Sequence, residues 1–266
     1  DKLLINFGTK SEDFNENDFI EWHEKNIDEN KGRVEQRMFF PWMTTKTLYN
    51  KVGGNDELFC KYMVDDDDFY LRIKMSGARY CQLFETAVYH MPSKSVRMRE
   101  DGKIDIDKQY NKSIRNFIRK WKVWPGSVWD DNRDMIIPKV YDIGLIIDNC
   151  DEKKLFFLEP WGNNIYIYNR GVALDYMHRE QQNTLYDLSD KIRIYNDDPS
   201  MLKNDIVVRF DADRINSDGI TFIQRLSEIL NNSGETGQMS YDIFDLDIKS
   251  IDTHEGNNIV NTNNRK

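Results

Sequence analysis

Four consecutive carboxylates, Asp65-Asp66-Asp67-Asp68, follow a Gly53-Gly54 pair and precede the strand-like Ala87-Val88-Tyr89-His90. Adjacent carboxylates repel and raise one another's affinity for protons. A fold that gathers four must offset the cost with a cation, a polar ligand or a proton-transfer task. The plain alternative is a solvated turn. Two local structures compete here. Phe69, Leu71, Ile73 and Met75 alternate as in a strand, whereas Phe69, Tyr70 and Ile73 behind Asp66 to Asp68 fit a short helix ending at Gly77. The pattern predicts the helix, because the macrodipole favours carboxylates at a helix N-terminus. Asp68 and Arg72 then lie one turn apart and can pair.

Gly53-Gly54-Asn55-Asp56-Glu57, the acidic run with Arg72, Gly77 and Val88-Tyr89-His90 together resemble, in that order, the acceptor-side half of inverting family 2 glycosyltransferases of the GT-A fold. Members typically read Gly-Gly-Phe-Asp-Glu, Glu-Asp-x-Asp-Leu-x-x-Arg, a Gly and Val-x-His. The resemblance spans roughly residues 38 to 125; Asn55 stands for the usual Phe and Asp65 for the usual Glu. It implies an α/β chain with a partial GT-A domain over 1–130, and a hexosyltransferase-type reaction. Asp66 falls on the family's catalytic base, the carboxylate that takes the proton from an acceptor hydroxyl as it attacks the anomeric carbon. Asp65, Asp68, Arg72, Gly53, Gly54, Asp56, Glu57 and Trp42 are implied to support the base or the acceptor. The implied donor is a nucleotide-diphosphate sugar, and the acceptor a glycan, lipid-linked or other hydroxyl. A divalent Mn2+ or Mg2+ ion would meet the charge of the leaving diphosphate. His90 matches a position that ligates metal or diphosphate in part of the family; otherwise a His closing an apolar strand is a packing or surface group.

The family also carries an N-terminal βαβ nucleotide-binding half ending in Asp-x-Asp, and nothing before residue 38 supplies it. The expectation is a truncated chain that begins just after the Asp-x-Asp strand and does not transfer sugar unaided. The segment around Phe14 and residues 19–23 reads as the variable connection between the two halves.

Residues 108–122 place Lys108, Lys112, Arg115, Arg119, Lys120 and Lys122 around an apolar stripe of Tyr110, Ile114, Phe117, Ile118 and Trp121, and Pro125-Gly126 ends the pattern. The structural reading is a packed surface helix. In the family a helix at this place, often with a Lys-Trp pair, closes the acceptor domain, so Arg115, Arg119 and Lys120 are candidates for binding the donor diphosphate.

Residues 128–133 read as a linker, and 139–266 as a second α/β unit of unknown role. Its expected strands are 141–147, 155–158, 165–168, 205–210 and 241–248, with a turn at Glu159-Pro160-Trp161-Gly162 and a helix over 220–230. Asp211-Ala212-Asp213 follows a strand, as a metal-binding Asp-x-Asp does, but in the reverse domain order; capping of the turn is the preferred reading. Glu159 with Trp161 has the make-up of a sugar platform, or of a buried turn.

The net charge of −9 over 266 residues argues against general nucleic-acid binding. No apolar run reaches membrane-spanning length. Cys60, Cys81 and Cys150 form neither a disulfide framework nor a metal motif, so buried thiols in a reducing, cytoplasmic setting are expected. Two other functions stay open: a non-catalytic carbohydrate- or protein-binding module, in which the carboxylates cap a helix or hold a structural cation, and a metal-dependent hydrolase using Asp65 to Asp68.

Overall fold

The computed structural model describes residues 7, 12–38, 41–59, 63–89 and 106–260. The chain is mixed α/β; among the described residues its two larger apolar cores meet at one helix, and a small third cluster gathers Ile146, Tyr166, Tyr195 and Val207.

The first core is built from short elements. Helix α1 (Glu16–Glu29) starts at Asn15, whose side chain accepts the Asp18 N–H. Strands β1 (Val34–Glu35) and β2 (Gln82–Leu83) pair antiparallel. Helix α2 (Lys46–Lys51) leads into the Gly53-Gly54 turn, and α3 (Asp65–Met75) carries the acidic run in its first turn. Helix is therefore the outcome at the ambiguous segment. Its Phe69, Tyr70, Leu71 and Ile73 pack with Val52, Leu58 and Phe59, and with Phe117 and Trp121 of α4 (Ile106–Trp121). Residues 87–89 form no strand, and the Tyr89 ring stacks on Phe14 instead.

The second core lies around a six-stranded sheet of order β5-β4-β3-β6-β8-β7. Strands β3 (Ile143–Asp148), β4 (Asn164–Ile167), β5 (Ile192–Ile194) and β6 (Ile206–Asp211) are parallel. Their near-continuous apolar runs suit strands covered on both faces. β7 (Gly237–Tyr241) and β8 (Phe244–Ile248) form an antiparallel hairpin on the β6 edge. Buried Phe244, Leu246 and Ile248 alternate there with Asp245 and Asp247. Helices α5 (Glu152–Leu158), α6 (Arg170–Glu180), α7 (Leu188–Lys191), α8 (Ser217–Gln224) and α9 (Leu226–Ser233) complete the unit.

Several local expectations are corrected. Residues 155–158 are helical: Asp151 caps α5, and Leu155 and Leu158 are buried three apart while Phe156 and Phe157 stay exposed. The helix over 220–230 breaks into α8 and α9 at Arg225, and the strand over 241–248 is a hairpin turning at Asp242. The 128–133 segment is not a free linker, because Val128 is buried and Trp129 bridges to Met135. Cys150 is buried but Cys81 is exposed, and Cys60 lies outside the described residues. Among the described residues no helix is long and apolar enough to cross a membrane.

Helix α4 joins the cores. Phe117 and Trp121 enter the first and Ile118 the second, while Arg115 and Arg119 reach across to Glu159 and Glu180.

Candidate functional site

Arg72 organises the ground beneath the acidic run. Its Nε donates to Asp68 Oδ2 at 2.8 Å, and one Nη donates to the carbonyls of Val52 and Gly54. Gly53 and Gly54 both have positive φ. A Cβ on Gly53 would sit 2.0 Å from the Val260 carbonyl oxygen, so this turn admits no side chain. From α4, the Trp121 indole donates to Asp68 Oδ1 at 2.9 Å, and Lys120 bridges Asp56 and Asp68. The glycine turn, the acidic helix and the Lys-Trp pair thus share one buried knot, in which Asp68 and Arg72 are fully buried.

The four carboxylates meet different surroundings. Asp65 and Asp66 are exposed at the helix start, and Asp67 is half-buried. Trp129 donates its indole N–H to Asp67 Oδ1 at 2.9 Å. Burial pushes the Asp67 carboxyl up to about 6; the Trp129 bond opposes this, and Asp66, Asp65 and Asp68 add to it. Burial and Asp66 likewise raise Asp65. The chain arrives with Met63 and Val64 both at positive φ. For a β-branched residue this is a strained conformation, of the kind that clusters at functional sites. Tyr70, one turn in, is 4% exposed, and among the described residues its hydroxyl has no hydrogen-bond partner.

The other expected residues are placed as follows. Glu57 is exposed at the start of a 3-10 turn. Trp42 stacks on Phe69 with centroids 4.5 Å apart, next to α3. His90 lies outside the described residues. Arg115 and Arg119 are taken up internally: Glu159, itself fully buried, receives both guanidiniums, the Tyr176 hydroxyl and Lys191. Burial would raise Glu159, but the Lys191 and Arg119 charges hold it well below the usual carboxylate range. Lys120 is committed to Asp56 and Asp68. All three cations are thus paired with internal carboxylates. Glu159 and the buried Trp161 form no sugar platform.

Asp213 lines a cleft of about 500 Å³ at the carboxyl ends of β3 and β4, and Asp211 ends the neighbouring β6. Asp211 accepts from the Asp213 N–H and from Asn149, which lowers its proton affinity, and Asp213 pairs with Lys154. That is the turn-capping arrangement. Among the described residues no three His, Cys, Asp or Glu side chains converge as a metal site. His90, the expected ligand, lies outside the described residues.

Comparison of the chain with protein-family models, with the curated proteins and with the solved structures finds no match.

Sequence reasoning missed Asp67, Tyr70 and Trp129. The first two fall on the variable positions of the acidic motif, and the third stood in a stretch that read as a linker. The indole beside two aspartates, Asp130 and Asp131, was the available signal.

Proposed function

We propose that the first core is the acceptor-side part of an inverting glycosyltransferase of the GT-A type, with Asp66 as its base. The observation that carries this reading is the buried knot around Arg72, which ties three separated motifs of the resemblance to one another and leaves Asp66 exposed at the helix tip. Asp68 and Arg72 act from below: a paired, fully buried carboxylate fixes the first turn and with it the direction of Asp66. In the reaction Asp66 accepts the proton of the acceptor hydroxyl. That oxygen bonds to the anomeric carbon as the bond from that carbon to the diphosphate oxygen breaks, and one displacement inverts the centre. A nucleotide-diphosphate sugar is the proposed donor, and a sugar or lipid-linked hydroxyl the acceptor.

The test is turnover of a panel of nucleotide sugars, with and without manganese, by wild type and by Asp66→Asn, both in the natural full-length protein. Turnover lost in the variant, at unchanged thermal stability, supports the reading; absence of turnover in wild type, or full turnover in the variant, refutes it.

A further inference from the structure

Lys122 carries a buried amine that, among the described residues, is held by carbonyls alone. Its Nζ donates to Pro160 O at 3.2 Å and to Gly162 O at 2.9 Å, and the residue is 4% exposed. It directly follows α4 with a φ of 59°, a left-handed position that helix ends commonly give to glycine. The fold thus keeps a lysine where the backbone disfavours a side chain, and then buries its amine. Lys122 lines a cavity of about 300 Å³ at the amino ends of β4 and β5, together with Arg119 and Lys191. Burial first, then the Lys191 charge, hold the Lys122 amine well below the usual lysine range; Arg119 adds to this, and Glu159 and Asp142 oppose it. A neutral amine has two N–H bonds and one lone pair. The two carbonyls take both N–H bonds, and the lone pair is left over. Lys191, pushed down to about 8 chiefly by burial and paired with Glu159, is a cation that can release its proton near neutral pH. A free amine beside such a proton donor is the pair that addition to a carbonyl needs.

We propose that Lys122 forms an imine with a small, uncharged hydroxyaldehyde or hydroxyketone held in this cavity, with Lys191 as the proton donor. The Lys122 lone pair bonds to the carbonyl carbon as the carbonyl oxygen takes a proton from Lys191. The nitrogen then returns a proton to Lys191, and the oxygen leaves as water when the carbon–nitrogen double bond forms. One amine and one carbonyl give one imine and one water, with no change of oxidation state. The remaining lining selects the ligand class. Asn163, Asn164, Asp187 and Asp190 also line the cavity; amides and carboxylates bind hydroxyls, and the two exposed aspartates disfavour an anion. A volume at the lower end for small-molecule sites suits a ligand of a few carbons. None of these steps uses the acidic run of α3, so the imine stands or falls apart from the transferase reading.

Glycolaldehyde is the probe. The natural full-length protein is incubated with it and cyanoborohydride, and the reduced adducts are located by peptide mass spectrometry. At about pH 7 an ordinary lysine is neutral in roughly one molecule in a few thousand, so Lys122 is expected to be labelled at least about 10-fold faster than any other lysine. A buried lysine with a structural role alone would label slowest. In urea the preference is expected to vanish, because the fold creates it. Lys191→Arg keeps a cation beside Glu159 but releases no proton, and is expected to slow labelling of Lys122 about 10-fold or more. Labelling of Lys122 no faster than of the other lysines, a preference that survives urea, or the wild-type rate in Lys191→Arg overturns the proposal. So does a stronger preference for Lys122 with glyoxylate, the anionic counterpart of the probe.

Discussion

Asp67→Asn is expected to stabilise the protein at neutral pH. The carboxyl titrates near 6 in the folded chain, against about 3.9 for an unperturbed Asp. Because the folded-state value is raised, the native state binds the proton more tightly than the unfolded chain. The group's contribution is complete below the unfolded value and is lost as pH rises through about 6. A gap of about two pH units corresponds to roughly 3 kcal/mol. Partial exposure and the residual cost of burying an amide reduce the expected gain to about 2 kcal/mol. Asparagine can keep an acceptor oxygen for the Trp129 indole, so the substitution removes charge with little change of shape. Asp65, Asp66 and Asp68 on the same helix, and Tyr70 beside them, are the other titratable groups acting there; relief of their repulsion is part of the gain. Calorimetry at about pH 7.5 should show a rise of roughly 4–8 °C in melting temperature for a chain of this size. Near pH 4 the difference should shrink towards zero, since the wild-type carboxyl is then protonated. An unchanged or lower melting temperature at neutral pH would refute the reasoning, as would a gain that persists undiminished in acid.

Glu159→Gln leaves Arg115 and Arg119 with Glu180 as their remaining carboxylate partner and removes the carboxylate that pairs with Lys191. Removing one partner from a buried ion cluster costs about 3–5 kcal/mol; a thermal melt at neutral pH that moves by less than about 2 °C contradicts this. In wild type the same carboxyl is held low, so its contribution is present above the ordinary glutamate range and lost on acidification. Gly53→Ala places a methyl against the Val260 carbonyl at a left-handed backbone position. It should lower the urea midpoint by the equivalent of about 2 kcal/mol or more, and a midpoint equal to wild type speaks against the closeness of that turn.

What the sequence makes legible is local. The amphipathic pattern over 108–122 and the β-branched run at 206–210 give α4 and β6 nearly to the residue, because their periodicity is written in consecutive side chains. Residues 155–158 fail for the opposite reason. Leu-Phe-Phe-Leu is a four-residue apolar run whose length fits either state, and the Asp151 cap decides it. The functions of charged residues are less legible still. Arg115 and Arg119 look like phosphate ligands until Glu159, some 40 residues later, takes them. Asp67 meets its indole partner 62 residues on. Charge patterning within a helix records neither event, since both depend on how α4 and the segment after it pack on the rest.

The acidic run shows how identical neighbours acquire separate tasks. Each helical step turns a side chain by about 100°, so four aspartates in one turn point in four directions. Asp68 turns inward, where Arg72, Lys120 and Trp121 make a charged carboxylate tolerable in a fully buried position. Asp66 turns outward and is exposed, on a root that Asp68 holds still. Asp67 lies between, dry enough that its carboxyl is pushed up to about 6, yet bonded by Trp129. Unequal surroundings are how one helix gives neighbouring carboxyls of the same residue type different proton affinities. A run of equal exposure on all four positions would mark only a solvated helix end. The inward pairing of Asp68 and the partial burial of Asp67 are what set this turn apart from one.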